Sequence, residues 1–448
     1  IVPPERLEIA NPKPLERDYE SINKQHKILM AIIDFGVDYN HPQLIKNLHF
    51  TLDQNSHPIG LGYDFIGRDS WPSPYIAMTA DINQDISEAS KNAAHQLTKH
   101  LQLAIDKYPD LERMFNPYRR IDQESDSGSF HGTHVAGLMT YDAPELGLLS
   151  YRVMPSNQVF KDGILQEDEL SQTSVSKNIL KALEMASANG VKIINLSLSM
   201  EVKNQETPKS SIDYQNFEEV YKIVETFAKT HPDIALVAAA GNSGNWINKK
   251  THRQLPCGVN ASNIICVGAT DSDGNLASFS NITLTKSPFI LAPGVDILST
   301  IPQSICQLQN DSMNTSQSTD LLSNGNDSPW NNEAETAIFL KNVYERCISH
   351  KGFMKSTGTS MSSPIIARAL AKLRVRFPLL NAAQSIEKLL SMGKKSQEGP
   401  LTFIKLQVEK PSWYESEFNI EKLSDPFFIK KKKIIPLATN EYFEFKKF

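Results

Sequence analysis

Three serines fall within four residues in "KSTGTSMSSPIIARAL", where Ser360, Ser362 and Ser363 precede Pro364 and an apolar run. A serine hydroxyl attacks a carbonyl only when a nearby base takes its proton and a third group orients that base. Candidate bases stand in "GSFHGTHVAGLM", with His131 and His134 three residues apart. A candidate orienting carboxylate is Asp34, which closes the apolar run "KILMAIID". Asn242, in "AAAGNSG" just after another apolar run, offers an amide that could face a cleft and stabilise an oxyanion. Singly, each has an ordinary explanation: Asp34 and Asn242 form turns, Ser360 caps a helix, and the two histidines suit a metal pair, although no carboxylate or third histidine lies at useful spacing. Together, Asp34, His131, Asn242 and Ser360 supply every part of a nucleophilic acyl-transfer site.

The elements that must carry these residues are legible as short runs. "KILMAIID", "VKIINLSLS", "IALVAAAG" and "NIICVGAT" are continuously apolar, as expected of strands buried on both faces of a parallel sheet. Asp34 then ends a strand at its C-terminal end, where open α/β sheets place their sites. Between the strands, Val175, Ile179, Ala182, Leu183 and Ala186 recur at helical spacing before Gly190. A second stripe, Ile366, Leu370, Leu373 and Phe377, follows Pro364, and Asn381 with Gln384 forms a capping box for a helix to Leu390. Alternating strands and helices predict an α/β three-layer sandwich with a mainly parallel central sheet.

Two insertions interrupt that order. Residues 69–129 contain a Trp-Pro-Ser-Pro turn and an amphipathic pattern (Ala94, Leu97, Leu101, Ala104, Ile105, Tyr108), and 303–350 are rich in Asn, Ser and Thr. The expected organisation is a catalytic domain over 1–398 and a C-terminal extension over 399–448, whose Lys430–Lys433 run reads as a solvated edge. The start at Ile1 lacks a signal pattern and reads as trimmed.

With 46 Lys and Arg against 51 Asp and Glu, a net charge of −5 provides no overall field toward nucleic acid or anionic lipid. No apolar run approaches the roughly 20 residues of a membrane span. The chain holds four cysteines, none in a C-x-x-C pair. Cys266, inside an apolar run, reads as a buried thiol, and Cys306 and Cys347, flanking the second insertion, read as a disulfide closing it.

The order Asp, His, Ser differs from that of α/β-hydrolases and of chymotrypsin. With "AIIDFGVDYNHPQL", "HGTHVAG", "INLSLS", "AAAGNSG", "ASFSN", "LAPGVDILST" and "GTSMSSP", the chain resembles the subtilisin-like serine proteases, or subtilases, over most of 27–390. The resemblance implies a subtilisin-like fold and a serine endopeptidase hydrolysing peptide bonds in proteins through an acyl-enzyme. It implies Asp34, His131 and Ser360 as the triad, Asn242 as the oxyanion donor, and Ser197, Leu198 and Ser199 as the edge segment that pairs with substrate. Ala239, Ala240 and Gly241 match a wall of the primary specificity pocket, while His134, Ser362 and Ser363 are left structural. No metal ligand is expected in the site and no cofactor is required; the resemblance leaves calcium possible, but Gln43 stands where many members have an aspartate calcium ligand, so that position does not support it. The implied partners are protein or peptide substrates and a removed N-terminal propeptide, and the resemblance and the cysteines lean toward export. Phe35 departs from the usual Thr or Ser, predicting a missing hydrogen bond to Asp34, and Ser199 departs from a common glycine at the cleft edge. Long intervals on both sides of His131 mark insertions near the cleft. These departures keep an alternative open, a catalytically degenerate subtilase acting as a binding or regulatory module. A lipase or esterase is excluded, because "GTSMS" is not a G-x-S-x-G elbow.

Overall fold

The computed structural model describes residues 14–65, 68–74, 128–154, 158–161, 164–167, 171–203, 207–248, 252–283, 287–302, 352–398 and 401–406. Nine strands form the central sheet: β1 (Ile28–Asp34), β2 (Gly62–Asp64), β3 (Leu146–Arg152), β4 (Ile193–Leu196), β5 (Ala235–Ala239), β6 (Ile264–Thr270), β7 (Phe289–Pro293), β8 (Lys394–Glu398) and β9 (Leu401–Lys405). Their order is β8-β9-β7-β6-β5-β4-β1-β3-β2, and only the β8–β9 pair is antiparallel.

Continuous apolarity in these strands follows from burial on both faces, and the two-residue period divides the side chains between two cores. Met30 and Ile32 of β1, Ile193 of β4, Val237 of β5 and Ile265 of β6 enter one core. Their neighbours Ala31, Ile33, Ile194, Leu236 and Ile264 enter the other. The first core is closed by α2 (Gly128–Thr140), α5 (Thr359–Arg376) and α6 (Ala382–Met392); the second by α3 (Ser171–Ala188) and α4 (Ile212–Thr230). A short α1 (Tyr19–Gln25) packs Tyr19 into the first core. This is the three-layer α/β sandwich expected from the sequence.

Local signals hold as expected. Gly190 follows α3 with φ +77°, a conformation that costs glycine little. Asn381 and Gln384 close a reciprocal capping box on α6. α5 is buried along almost its whole length, and its Ile365, Ile366, Leu370 and Leu373 each contribute about 1.5–3 kcal/mol of transfer free energy. That burial fixes the helix whose first turn carries Ser360.

Cys266 is not a thiol. It forms a disulfide with Cys257, and both residues are fully buried. The sequence run around Cys266 contains no sign of this, because Cys257 reaches β6 only through the tertiary path of 252–259. The expected boundary at 398 falls between two paired strands, since β9 continues the sheet beside β7. The helical pattern expected between Ala94 and Tyr108, the Cys306–Cys347 pairing and the Lys430–Lys433 run lie outside the described residues. Among the described residues no helix is long and apolar enough to cross a membrane.

Candidate active site

β1 delivers Asp34 at its C-terminal end, fully buried. α2 brings His131 over it, with Nδ1 2.7 Å from Asp34 Oδ1. Close approach is set by Gly132: a Cβ there would collide with the Gly36 carbonyl. Asp34 Oδ1 also accepts from the Phe35 N–H at 2.8 Å, whereas Oδ2 is buried without a hydrogen-bond partner among the described residues. Phe35 has no side-chain hydroxyl to offer it. The Phe35 ring instead stands edge-on to the imidazole, with centroids 5.9 Å apart.

Burial pushes the His131 ring toward the neutral form, but the Asp34 charge and hydrogen bond outweigh it, so its pKa is raised above the ordinary value. With Nδ1 donating to the carboxylate, Nε2 is the nitrogen left to take a proton.

Ser360 is the second residue of α5. Pro364, four residues on, has no N–H to give the Ser360 carbonyl. Ser197 Oγ donates to that carbonyl instead, at 2.9 Å, and is held by Asn195 Nδ2 at 2.9 Å and Ser363 Oγ at 2.8 Å. The Ser360 hydroxyl donates to the Ser197 carbonyl at 3.2 Å, and no hydrogen bond joins it to His131 among the described residues. None of the three serines caps the helix. Gly358 is the N-cap, with no side-chain cap, and Ser362 Oγ ties α5 to the Ala292 and Pro293 carbonyls of β7. Ser362 and Ser363 thus cross-link the helix to the sheet edge.

Asn242 lies just beyond β5 and is exposed. Its Oδ1 accepts from both the N–H and the hydroxyl of Thr359, at 2.9 and 3.0 Å, which orients the amide and leaves Nδ2 to donate into the cleft. Thr359 Oγ1 in turn accepts the Gly241 N–H at 2.9 Å. Gly358 holds φ +151°, open to glycine alone, and a Cβ there would lie 3.2 Å from Asn242 Nδ2. Ala239, Ala240 and Gly241 are buried behind the amide; Ser197, Leu198 and Ser199 leave β4 with exposure rising along the segment.

The structure therefore brings Asp34 and His131 into direct contact, and Asn242 into contact with the residue before Ser360. His134 is turned elsewhere: Nε2 is 3.1 Å from the Ile297 carbonyl and 3.0 Å from that of Met354. These carbonyls belong to the antiparallel pair Ile297–Thr300 and Phe353–Ser356, the root of the second insertion. Among the described residues no group of three or more His, Cys, Asp or Glu is placed to hold a metal ion.

Sequence reading missed Thr359, Gln254, Asn281 and Glu201. Asn281 Oδ1 accepts the Ser243 and Asn245 N–H groups at 3.2 and 2.7 Å, and its Nδ2 donates to Gln254 Oε1 at 2.6 Å. Thr359 and Asn281 sit inside "GTSMSSP" and "ASFSN", so the motifs were the available signal; Gln254 and Glu201 have none.

The family model described as the subtilase family matches residues 25–402. Subtilisin BL of Lederbergia lenta is 28% identical over 264 residues, covering 59% of this chain and 83% of that protein. Subtilisin DY of Bacillus licheniformis is 27% identical over 264 residues, covering 59% of this chain and 70% of that protein. Among solved structures, a lanthipeptide protease superposes with a TM-score of 0.48 at 18% identity, covering 85% of this chain and 84% of that one. A cold-adapted subtilisin-like serine proteinase gives 0.45 at 17%, covering 89% and 94%. The match spans β1 to β8, α2 and α5 together, and the chain belongs to the subtilase family of serine proteases.

Proposed function

We propose that this chain is a serine endopeptidase that cleaves peptide bonds in proteins through an Asp34–His131–Ser360 triad and an acyl-enzyme. The observation that carries the reading is the 2.7 Å contact of a fully buried Asp34 with His131 Nδ1. It leaves Nε2 basic, on the residue that would face Ser360 once substrate is in place.

In the proposed reaction a turn about the Ser360 Cα–Cβ bond takes the hydroxyl from the Ser197 carbonyl to His131 Nε2. Oγ attacks the substrate carbonyl carbon while its proton passes to Nε2, and Asp34 stabilises the imidazolium formed. The new oxyanion is met by Asn242 Nδ2 and by the Ser360 N–H, which has no intrahelical acceptor in the first turn of α5. The imidazolium then protonates the leaving amine, and water, activated by the same ring, hydrolyses the ester. Four side chains supply every proton transfer and charge, so the reaction needs no cofactor. The Ser197–Ser199 segment, exposed at Ser199, would pair with an extended stretch of a protein or peptide substrate.

The Ser360 hydroxyl bound to the Ser197 carbonyl favours one other reading, a degenerate subtilase that binds without cutting. Digestion of casein by the purified protein, with Ser360→Ala as control, separates them. Fragments from the parent alone support the peptidase; an intact substrate with both folded proteins supports the binding module.

A further inference from the structure

The two segments proposed to flank the substrate meet at a carboxylate. Glu201 lies two residues beyond Ser199, in the strand Met200–Lys203. Ser243, the neighbour of Asn242, donates its hydroxyl to Glu201 Oε2 at 2.7 Å. One side chain thus ties the edge segment to the loop that presents the oxyanion donor.

Its position is fixed from behind. Met200–Lys203 pairs antiparallel with His252–Leu255, and Glu201 stands opposite Gln254. Gln254 fills the space above the Gly241 Cα, so that a Cβ there would strike its amide. The bonds from Gln254 through Asn281 to the Ser243 and Asn245 N–H groups complete the frame.

The carboxylate is not saturated. An ionised carboxylate offers about four acceptor positions; Ser243 takes one. His252 Nε2 lies 3.2 Å from Oε1 but lacks hydrogen-bond alignment. The Glu201 side chain is 27% exposed, enough for an incoming donor, whereas that of His252 is 10% exposed and sits behind it. Among the described residues the formal cations nearby are Lys203, two residues along the strand on the same side, and Arg253, whose guanidinium pairs with Glu218. Ala239, Ala240 and Gly241, the residues read as the pocket wall, carry little side chain of their own.

We propose that Glu201 makes the substrate channel selective for a lysine or arginine side chain beside the scissile bond. This rests on the peptidase reading above. A long, flexible cation can run past the small residues of the wall and donate to the free lone pairs of Glu201, with solvent moderating the gain because the site is partly exposed.

The test is a set of fluorogenic peptides identical except at the residue before the cut: Lys, Arg, Met, Gln and Glu. The parent protein should cleave the Lys and Arg peptides with kcat/KM about tenfold above Met and Gln, with Glu the poorest. Glu201→Gln should bring the Lys-to-Met ratio to near one, mainly through KM, and Glu201→Lys should invert it. A ratio within one protein does not depend on the fraction folded, so a poorly folding variant still reports. A parent without basic preference, or a ratio unchanged in Glu201→Gln, overturns the proposal while leaving the peptidase reading intact. Labelling of Ser360 by a fluorophosphonate without cleavage of the basic peptides also overturns it alone. No cleavage of any peptide and no labelling overturns both.

Discussion

His131 and His134 sit three residues apart on α2, both buried, and the protein drives their rings to opposite protonation behaviour. For His131, burial disfavours the charged ring, but the Asp34 carboxylate at 2.7 Å more than compensates and the pKa is raised. For His134, burial dominates. The Met354 and Ile297 carbonyls favour the protonated form and neighbouring His131 opposes it, and the pKa falls to about 3. The difference lies in the partner, not the depth: a carboxylate makes one ring more basic, and two carbonyls hold the other as a neutral clamp on the root of the second insertion. Ser299 and Thr300 reinforce the clamp by donating to the His134 and Thr133 carbonyls at 2.6 and 2.8 Å.

Removing the partner should collapse the contrast. In Asp34→Asn, His131 keeps its burial and loses the charge, so its pKa drops and the acid limb of kcat/KM moves to lower pH. The rate itself should fall about 10⁴-fold through loss of imidazolium stabilisation and of the correct tautomer. A limb that stays in place would show that Asp34 does not set the ring. The second largest effect concerns stability. A histidine whose folded pKa is depressed leaves the unfolded chain with more bound protons between pH 6.5 and about 3, so stability falls as pH falls through that window. His131, with its raised pKa, has the opposite sign: its contribution is full below pH 6.5 and is lost as pH rises through the folded value. His134→Asn should therefore flatten the acid slope by up to about 1.4 kcal/mol per pH unit, read by urea unfolding in a Ser360→Ala background. An unchanged slope would remove His134 from the account. The smallest effect sharpens the comparison from outside it. Thr359→Val strips the hydroxyl from Asn242 Oδ1 and from the Gly241 N–H, and should lower kcat about tenfold with no movement of the acid limb, because neither histidine is touched.

Much of this was legible beforehand wherever the cause is local. Successive residues of a strand, such as Ile32 and Ile33, had to face opposite sides of a sheet, and runs without polar breaks had to be covered on both. Gly190 and the Asn381–Gln384 box announce helix ends through their own backbone needs. Asp34, His131, Asn242 and Ser360 became readable together because each closes or opens an element at the same edge of the sheet. What escaped depends on remote segments meeting. Cys257 finds Cys266 through a loop path that no pattern encodes. Ser362 and Ser363 read in sequence only as structural residues, and their hydroxyls reach Ala292, Pro293 and Ser197 only once α5 is docked. Glu201 meets Ser243 across 42 residues of chain, and β9, which reads in sequence as part of an extension, joins the sheet beside β7.

The central claim is that Asp34, His131 and Ser360 act as one nucleophilic unit, and active-site labelling addresses it most directly. The protein is treated with a fluorophosphonate near pH 8 and mapped by peptide mass spectrometry, beside Ser360→Ala and His131→Ala. The account predicts a single adduct on Ser360, absent from Ser360→Ala and slowed by several orders of magnitude in His131→Ala. No adduct in folded parent protein, or equal labelling in His131→Ala, would contradict it.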